Sequence, residues 1–219
     1  MAEILRYLGL AKETTYNPTT PPVAAFYVDI ASASLDVPGD TQMIYGGGLS
    51  RGPNTHRPGF YAPSGNVAYA VDIRTIAYMI RWALGGYKFT TATPPALYTH
   101  EIWGSNANVL PSFTARLGKD LFEHVFAGCI ISSLQLQVEG EYAMLTADII
   151  AARDLSATIK DVADVTLPTE YPLAFHEAKV FMGGKASGDE LKCRVKSMTL
   201  TINNNLSVDA GRYLGSRHP

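Results

Sequence analysis

Five histidines, two cysteines and a few close acidic pairs are the residues of this chain best equipped for chemistry. Their spacing denies them most of it. His56, His100, His124, His176 and His218 include no HxH or HxxxH pair, the spacings that turn two imidazoles toward one metal ion. Cys129 and Cys193 form neither a CxxC nor a Cys/His set; both sit in strand-like runs and read as buried free thiols. No GxSxG nucleophile elbow occurs. Tyr45-Gly46-Gly47-Gly48 has the glycines of a phosphate cradle, but it runs into Leu49-Ser50-Arg51-Gly52-Pro53 without the Lys-Ser/Thr and following helix that a cradle needs. It reads as a flexible loop. The acidic pairs are Asp148 with Asp154, Asp161 with Asp164, and Glu139 with Glu141. Acid–base work requires a pocket that splits the pKa values of such a pair. Glu139 and Glu141 flank a hairpin glycine, and Asp161 and Asp164 lie in a loop, so both pairs read as solvated. The residues point to no enzyme, no metal and no cofactor.

Composition narrows the partners. Only 17% of the 219 residues are charged and the net charge is −2, with Lys and Arg spread along the chain. A nucleic-acid grip or an anionic-membrane anchor needs a basic stripe, and none is present. A low charge content suits a chain that hides much of its surface in an assembly. Nothing at the N-terminus reads as a signal peptide and no apolar run reaches the ~20 residues of a membrane span, so the chain is expected to be made in a cytoplasm and to stay soluble.

The elements that would position any site are mostly strands. Residues 1–23 read as an N-terminal arm, because Pro18, Pro21 and Pro22 in a Thr-rich run forbid helix. Residues 24–37 read as a strand, and 38–66, with its many glycines and prolines, as one long interaction loop. A helix is predicted over 72–84: Asp72 can cap it, Gly85-Gly86 can stop it, and Ile73, Ile76, Ala77, Ile80 and Leu84 form an apolar stripe. Tyr78 and Trp82 flank that stripe, which predicts that they reach a second surface at a subunit boundary. Strands are expected at 97–103, 112–118, 122–140, 142–154, 171–182 and 190–204, with a tight hairpin at Glu139-Gly140-Glu141. A weak internal repeat relates 34–53 to 199–219.

The run 129–151 carries the clearest pattern. Ser133, Gln135, Gln137 and Glu139 alternate with Leu134, Leu136 and Val138, and Met144, Thr146 and Asp148 alternate with Ala143, Leu145, Ala147 and Ile149. One face is dry. The other is polar and nearly uncharged, as suits a surface that is wet but does not hold a polyanion.

At these residues the sequence resembles the siphophage tail tube (major tail) protein family. The likeness runs in order through Glu13-Thr14-Thr15-Tyr16, Pro21-Pro22, Ser32 to Val37, the loop bearing Arg51 and Arg57, and Trp82-Ala83-Leu84-Gly85. It continues through Tyr98-Thr99-His100, Leu110-Pro111-Ser112-Phe113-Thr114, Gly128-Cys129 to Glu139 and Leu145 to Asp154. The resemblance implies a mainly β fold: an antiparallel β-sandwich with one flanking helix and long loops, over 24–204. Six copies would join their sheets into a ring lined by a continuous β-barrel, and stacked rings would conduct double-stranded DNA. Ser133, Gln135, Gln137, Glu139 and Asp148 are then expected to line the lumen, and Tyr16, Arg51, Arg57, Tyr78 and Trp82 to lie at subunit interfaces. The partners implied are further copies of the chain and the tape measure, tail terminator and distal tail proteins, with no membrane. The place implied is the virion tail, assembled in the host cytoplasm. Residues 205–219 read as a C-terminal segment where a second, similar half would begin. The competing readings are a tail completion or decoration protein and, from a different class, a carbohydrate-binding β-sandwich built around Tyr98 and Trp103.

Overall fold

The computed structural model describes residues 6–37, 41–44, 55–58, 61–92, 97–106, 109–119, 121–179 and 195–206. In chain order the elements are β1 (Arg6–Lys12), β2 (Phe26–Val28), β3 (Ser32–Ala33), β4 (Thr41–Ile44), β5 (Thr55–Pro58), β6 (Ser64–Ala70) and helix α1 (Ile73–Leu84). They continue with β7 (Gly85–Ala92), β8 (Leu97–Gly104), β9 (Phe113–Lys119), β10 (Phe122–Val138), β11 (Ala143–Ile150), β12 (Arg153–Thr158) and β13 (Met198–Asn203). The protein is mainly β with antiparallel sheets, as the pattern predicts.

One bent hairpin organises the body. The 17-residue β10 pairs with β12 along its first half and with β11 along its second. It therefore belongs to two sheets, β2-β1-β9-β10-β12 and β13-β10-β11-β6-β3, which enclose a common core. Gly128 sits at the bend with φ +66°, a conformation that L side chains rarely adopt, and a Cβ there would lie 2.8 Å from that of Ala152. The bend takes the Gly128 N–H out of the ladder, and a buried backbone donor needs a partner. The Glu13 carboxylate supplies it, accepting from Gly128 N at 2.9 Å, Ser112 Oγ at 2.6 Å, Thr114 Oγ1 at 2.7 Å and Asn17 N at 3.2 Å.

Within the arm expected over 1–23, the described residues from Arg6 onward lie on the chain's own body. Residues 6–12 form β1, flanked by β2 and β9 inside the sheet. The stretch after it lies on its own chain, with Arg116 Nε donating to Pro22 O at 3.0 Å and Arg153 to Pro18 O. β1 hides from pattern reading because Tyr7, Leu8, Leu10 and Ala11 are all buried, so polar residues do not alternate with apolar ones. Below it, Tyr7 Oη donates to the buried Glu123 at 2.6 Å, and Arg116 pairs with the other oxygen of that carboxylate at 2.6 Å.

The helix begins and ends where expected. The Asp72 side chain accepts from Arg74 N and Thr75 N, both at 2.8 Å, and Gly85 closes the far end with φ 86°. Its buried face differs from the predicted stripe. Thr75, Met79, Trp82 and Ala83 face the core, Ile76 and Ile80 pack at its margin, and Ile73 is 69% exposed. Trp82 decides the rotation. Its ring stacks on Phe113 at 4.4 Å between centroids, and such an aromatic contact adds ~1 kcal/mol to the burial of both rings.

Other boundaries shift as well. The strand read over 24–37 is broken between β2 and β3. The region 38–66 holds the β4–β5 ribbon and the start of β6 instead of one structureless loop. Residues 171–179 form no strand: Pro172 lacks a donor, and only Ala174 bridges, to Tyr142, before a short turn at Phe175–Glu177. Cys129 is buried and free, while Cys193 and most of 205–219 lie outside the described residues. Burial pushes the Cys129 thiol and the Tyr7 and Tyr69 hydroxyls well above their usual ionisation ranges.

Candidate assembly surface

The outer face of the second sheet collects the polar residues singled out in the sequence. Antiparallel partners share a face, so the strand registers read as rows across the sheet. One row is Asn203, Ser133, Asp148 and Asn66; the next is Thr201, Gln135, Thr146, Ala68 and Ser32; the third is Thr199, Gln137, Met144 and Ala70. Asp148 is the one ionisable side chain in these rows, and Ser133 Oγ donates to it at 2.5 Å. Glu139 sits beyond the third row, accepting from Gln137 Nε2 at 2.8 Å. Ser133, Gln135, Gln137, Glu139 and Asp148 thus lie together on one surface. The Thr and Asn residues of β13 extend it, a contribution visible in the sequence as the alternation Thr199, Thr201, Asn203.

The reverse side of the sheet is the core face over β6, β11 and most of β10. At β13 the cover runs out: Leu200 is 49% and Met198 40% exposed. β13 and β3 are the edges of this sheet among the described residues, each with one side of its backbone unpaired.

The residues expected at interfaces separate. Tyr16 is exposed on the segment anchored by Glu13. Tyr78 is partly exposed on the outer side of α1, with its ring 4.9 Å from that of Phe26. Trp82 is 1% exposed and lies within the chain's own core, which corrects the expectation that it reaches a second surface. Arg51 lies outside the described residues; the backbone of Arg57 pairs with Gln42 in the β4–β5 ribbon.

Groups suited to catalysis do not converge on this face. Among the described residues no cluster of His, Cys, Asp and Glu could hold a metal ion. His124 and Asp154 pair at 3.0 Å, and the backbone N–H of Asp154 donates to Tyr61 Oη, but Phe122 and Phe126 flank the imidazole. No helix among the described residues is long and apolar enough to cross a membrane.

A family model described as phage tail tube protein matches residues 5–219. No curated protein matches the sequence.

Proposed function

The chain belongs to the phage tail tube protein family, a structural component of the virion tail, and from that premise we propose that it polymerises as stacked six-membered rings whose lumen is walled by the second sheet and conducts viral DNA. The observation that carries this reading is the neutral polar face of the three rows. A wall that must pass a polyanion without holding it needs hydration and little positive charge, and the rows offer amides, hydroxyls and one carboxylate.

The edges support ring closure. The exposed edge of β13 and that of β3 lie at opposite sides of the sheet, so one copy can present β13 to the β3 side of the next. Pairing there would satisfy both edges and cover Leu200 and Met198. Because β3 covers only Val67 and Ala68 of β6, the wall is set by the four longer strands: if β13, β10, β11 and β6 of six copies join, about 24 strands spaced at ~4.8 Å and tilted by ~40° close at a backbone diameter of roughly 48 Å. That leaves room for a duplex after side chains. The tape measure, terminator and distal tail proteins are the further partners expected of such a tube.

Substituting Gln135→Lys together with Gln137→Lys tests the assignment. The double variant should still form tubes, while tubes or phage carrying it should retain DNA in a salt-dependent way and eject it more slowly. Unchanged ejection and no DNA retention at low salt would remove these residues from the lumen.

A further inference from the structure

The ribbon β7–β8 stands apart from both sheets, and among its larger contacts it touches only α1. A two-stranded ribbon is marginal by itself in water. This one nevertheless turns Phe89 and Trp103 outward, each 48% exposed. Between the ribbon and the outer side of α1 runs a cleft of about 400 Å³ lined by Ile73, Arg74, Tyr78, Arg81, Tyr87 and His100. The Arg81 guanidinium lies 3.9 Å from the Tyr87 ring centre, and the Tyr87 hydroxyl bonds His100 Nδ1 at 2.9 Å. Both arginines are without a carboxylate partner among the described residues. The cleft is therefore apolar along its floor and cationic along its rim.

A complementary surface exists on the same chain. After β12 the loop 161–171 exposes Asp161, Asp164 and Glu170, together with Leu167 and the 91% exposed Tyr171. None of the three carboxylates forms a salt bridge with a described residue. In its own copy the loop lies at the Asp72 end of α1, where Leu167, Pro168 and Glu170 line a separate cleft with Val28 and Asp29. The β10–β11 tip is another acidic projection among the described residues, but it offers two carboxylates, and Glu139 is already held by Gln137.

We propose that the cleft between α1 and the β7–β8 ribbon is a subunit–subunit docking site whose occupant is the acidic loop 161–171 of a second copy. The contact is heterologous, joining one surface to a different surface of the next copy, so its repetition builds a ring or a filament without a natural stop at two. Leu167 and Tyr171 fill the apolar floor, and the carboxylates meet Arg74 and Arg81 at the rim. The site rests on the self-assembly proposed above but is independent of which face lines the lumen.

A charge swap tests it. In wild-type protein that forms tubes, R74E/R81E should raise the critical concentration for pelletable tubes at least tenfold, with the far-UV circular dichroism and thermal midpoint unchanged. D161K/D164K/E170K should do the same, and the two sets combined in one chain should restore assembly to within about threefold of wild type. Because Arg81 packs on Tyr87, Arg74→Glu alone serves as a second variant that leaves the ribbon contact in place. Normal assembly of both arginine variants would overturn the proposal. So would failure of the combined chain to recover, or recovery when E139K/E141K replaces the loop set, which would put the β10–β11 tip in the cleft. Wild-type protein that never forms rings or tubes would count against the tube reading itself, and the swap would then be read in whatever oligomer the wild type forms.

Discussion

The two-sheet body and the β7–β8 ribbon are both built from antiparallel strands, yet they differ in where their side chains find partners. In the body, distant parts of the chain complete one another: Glu13 reaches Gly128, and Tyr7 reaches Glu123. In the ribbon the closest partners are local, Tyr87 with His100 and Lys88 with Glu101 across the two strands, and two large aromatics stay half in water. The body finishes its own folding. In the reading proposed above, the ribbon meets another copy and the polar face of the second sheet meets the lumen. Substitutions in the body should therefore act on stability first, and substitutions in the ribbon on assembly.

The largest effect is expected at Trp82. Replacing it with Ala removes the ring between α1 and Phe113 and should cost about 3–5 kcal/mol, read as a lower midpoint in chemical denaturation of the unassembled subunit. A loss of assembly with stability intact would return Trp82 to an interface. Glu123→Ala should cost about 3 kcal/mol, because it leaves the partly buried Arg116 without its carboxylate and Tyr7 without its acceptor. Glu13→Ala should cost about 2 kcal/mol or more, since Ser112, Thr114 and the Gly128 N–H lose their acceptor at the bend. Glu13→Gln, which keeps one oxygen, should lose less.

A smaller effect concerns pH. The folded state holds the Cys129 thiol and the Tyr7 and Tyr69 hydroxyls neutral above their unfolded values of about 8.5 and 10. Above those values the unfolded chain has given up protons that the folded chain retains, so stability is full below about pH 8.5 and falls as pH rises beyond it. Thermal midpoints should decline through the alkaline range, and Cys129→Ala should remove the first part of the decline. A flat midpoint up to about pH 11 would contradict the burial of these groups. The smallest stability change belongs to the ribbon. Phe89→Ser with Trp103→Ser should cost the subunit about 1–2 kcal/mol, less than Trp82→Ala, while weakening assembly; a loss of subunit stability as large as that at Trp82 would erase the contrast between ribbon and body.

What the sequence made legible were features with local causes. Asp72 and Gly85 mark the ends of α1 because caps are short-range hydrogen bonds and backbone angles. The β10–β11 hairpin and its polar face follow from strict alternation around Gly140. Features set by distant partners were hidden. The buried side of α1 depends on Phe113, which is far along the chain. β1 is buried on both faces and so shows no alternation, whereas β6 does alternate, with Val67 and Tyr69 inward, but its start is masked by the glycine-rich stretch before it. Glu13 looks like a solvated acid in a Thr-rich run until the bend at Gly128 is brought to it. The segment 171–179 alternates, but Pro172 leaves it without a ladder to join.

Cryo-electron microscopy of tubes assembled from the purified protein bears most directly on the central claim. The expected result is a hollow helical polymer of stacked rings whose inner wall is the second sheet, with Gln135, Gln137 and Asp148 facing the lumen and the β13 edge paired to a neighbouring copy. A polymer with that polar face turned outward, or packed against another sheet with no open channel behind it, would contradict it.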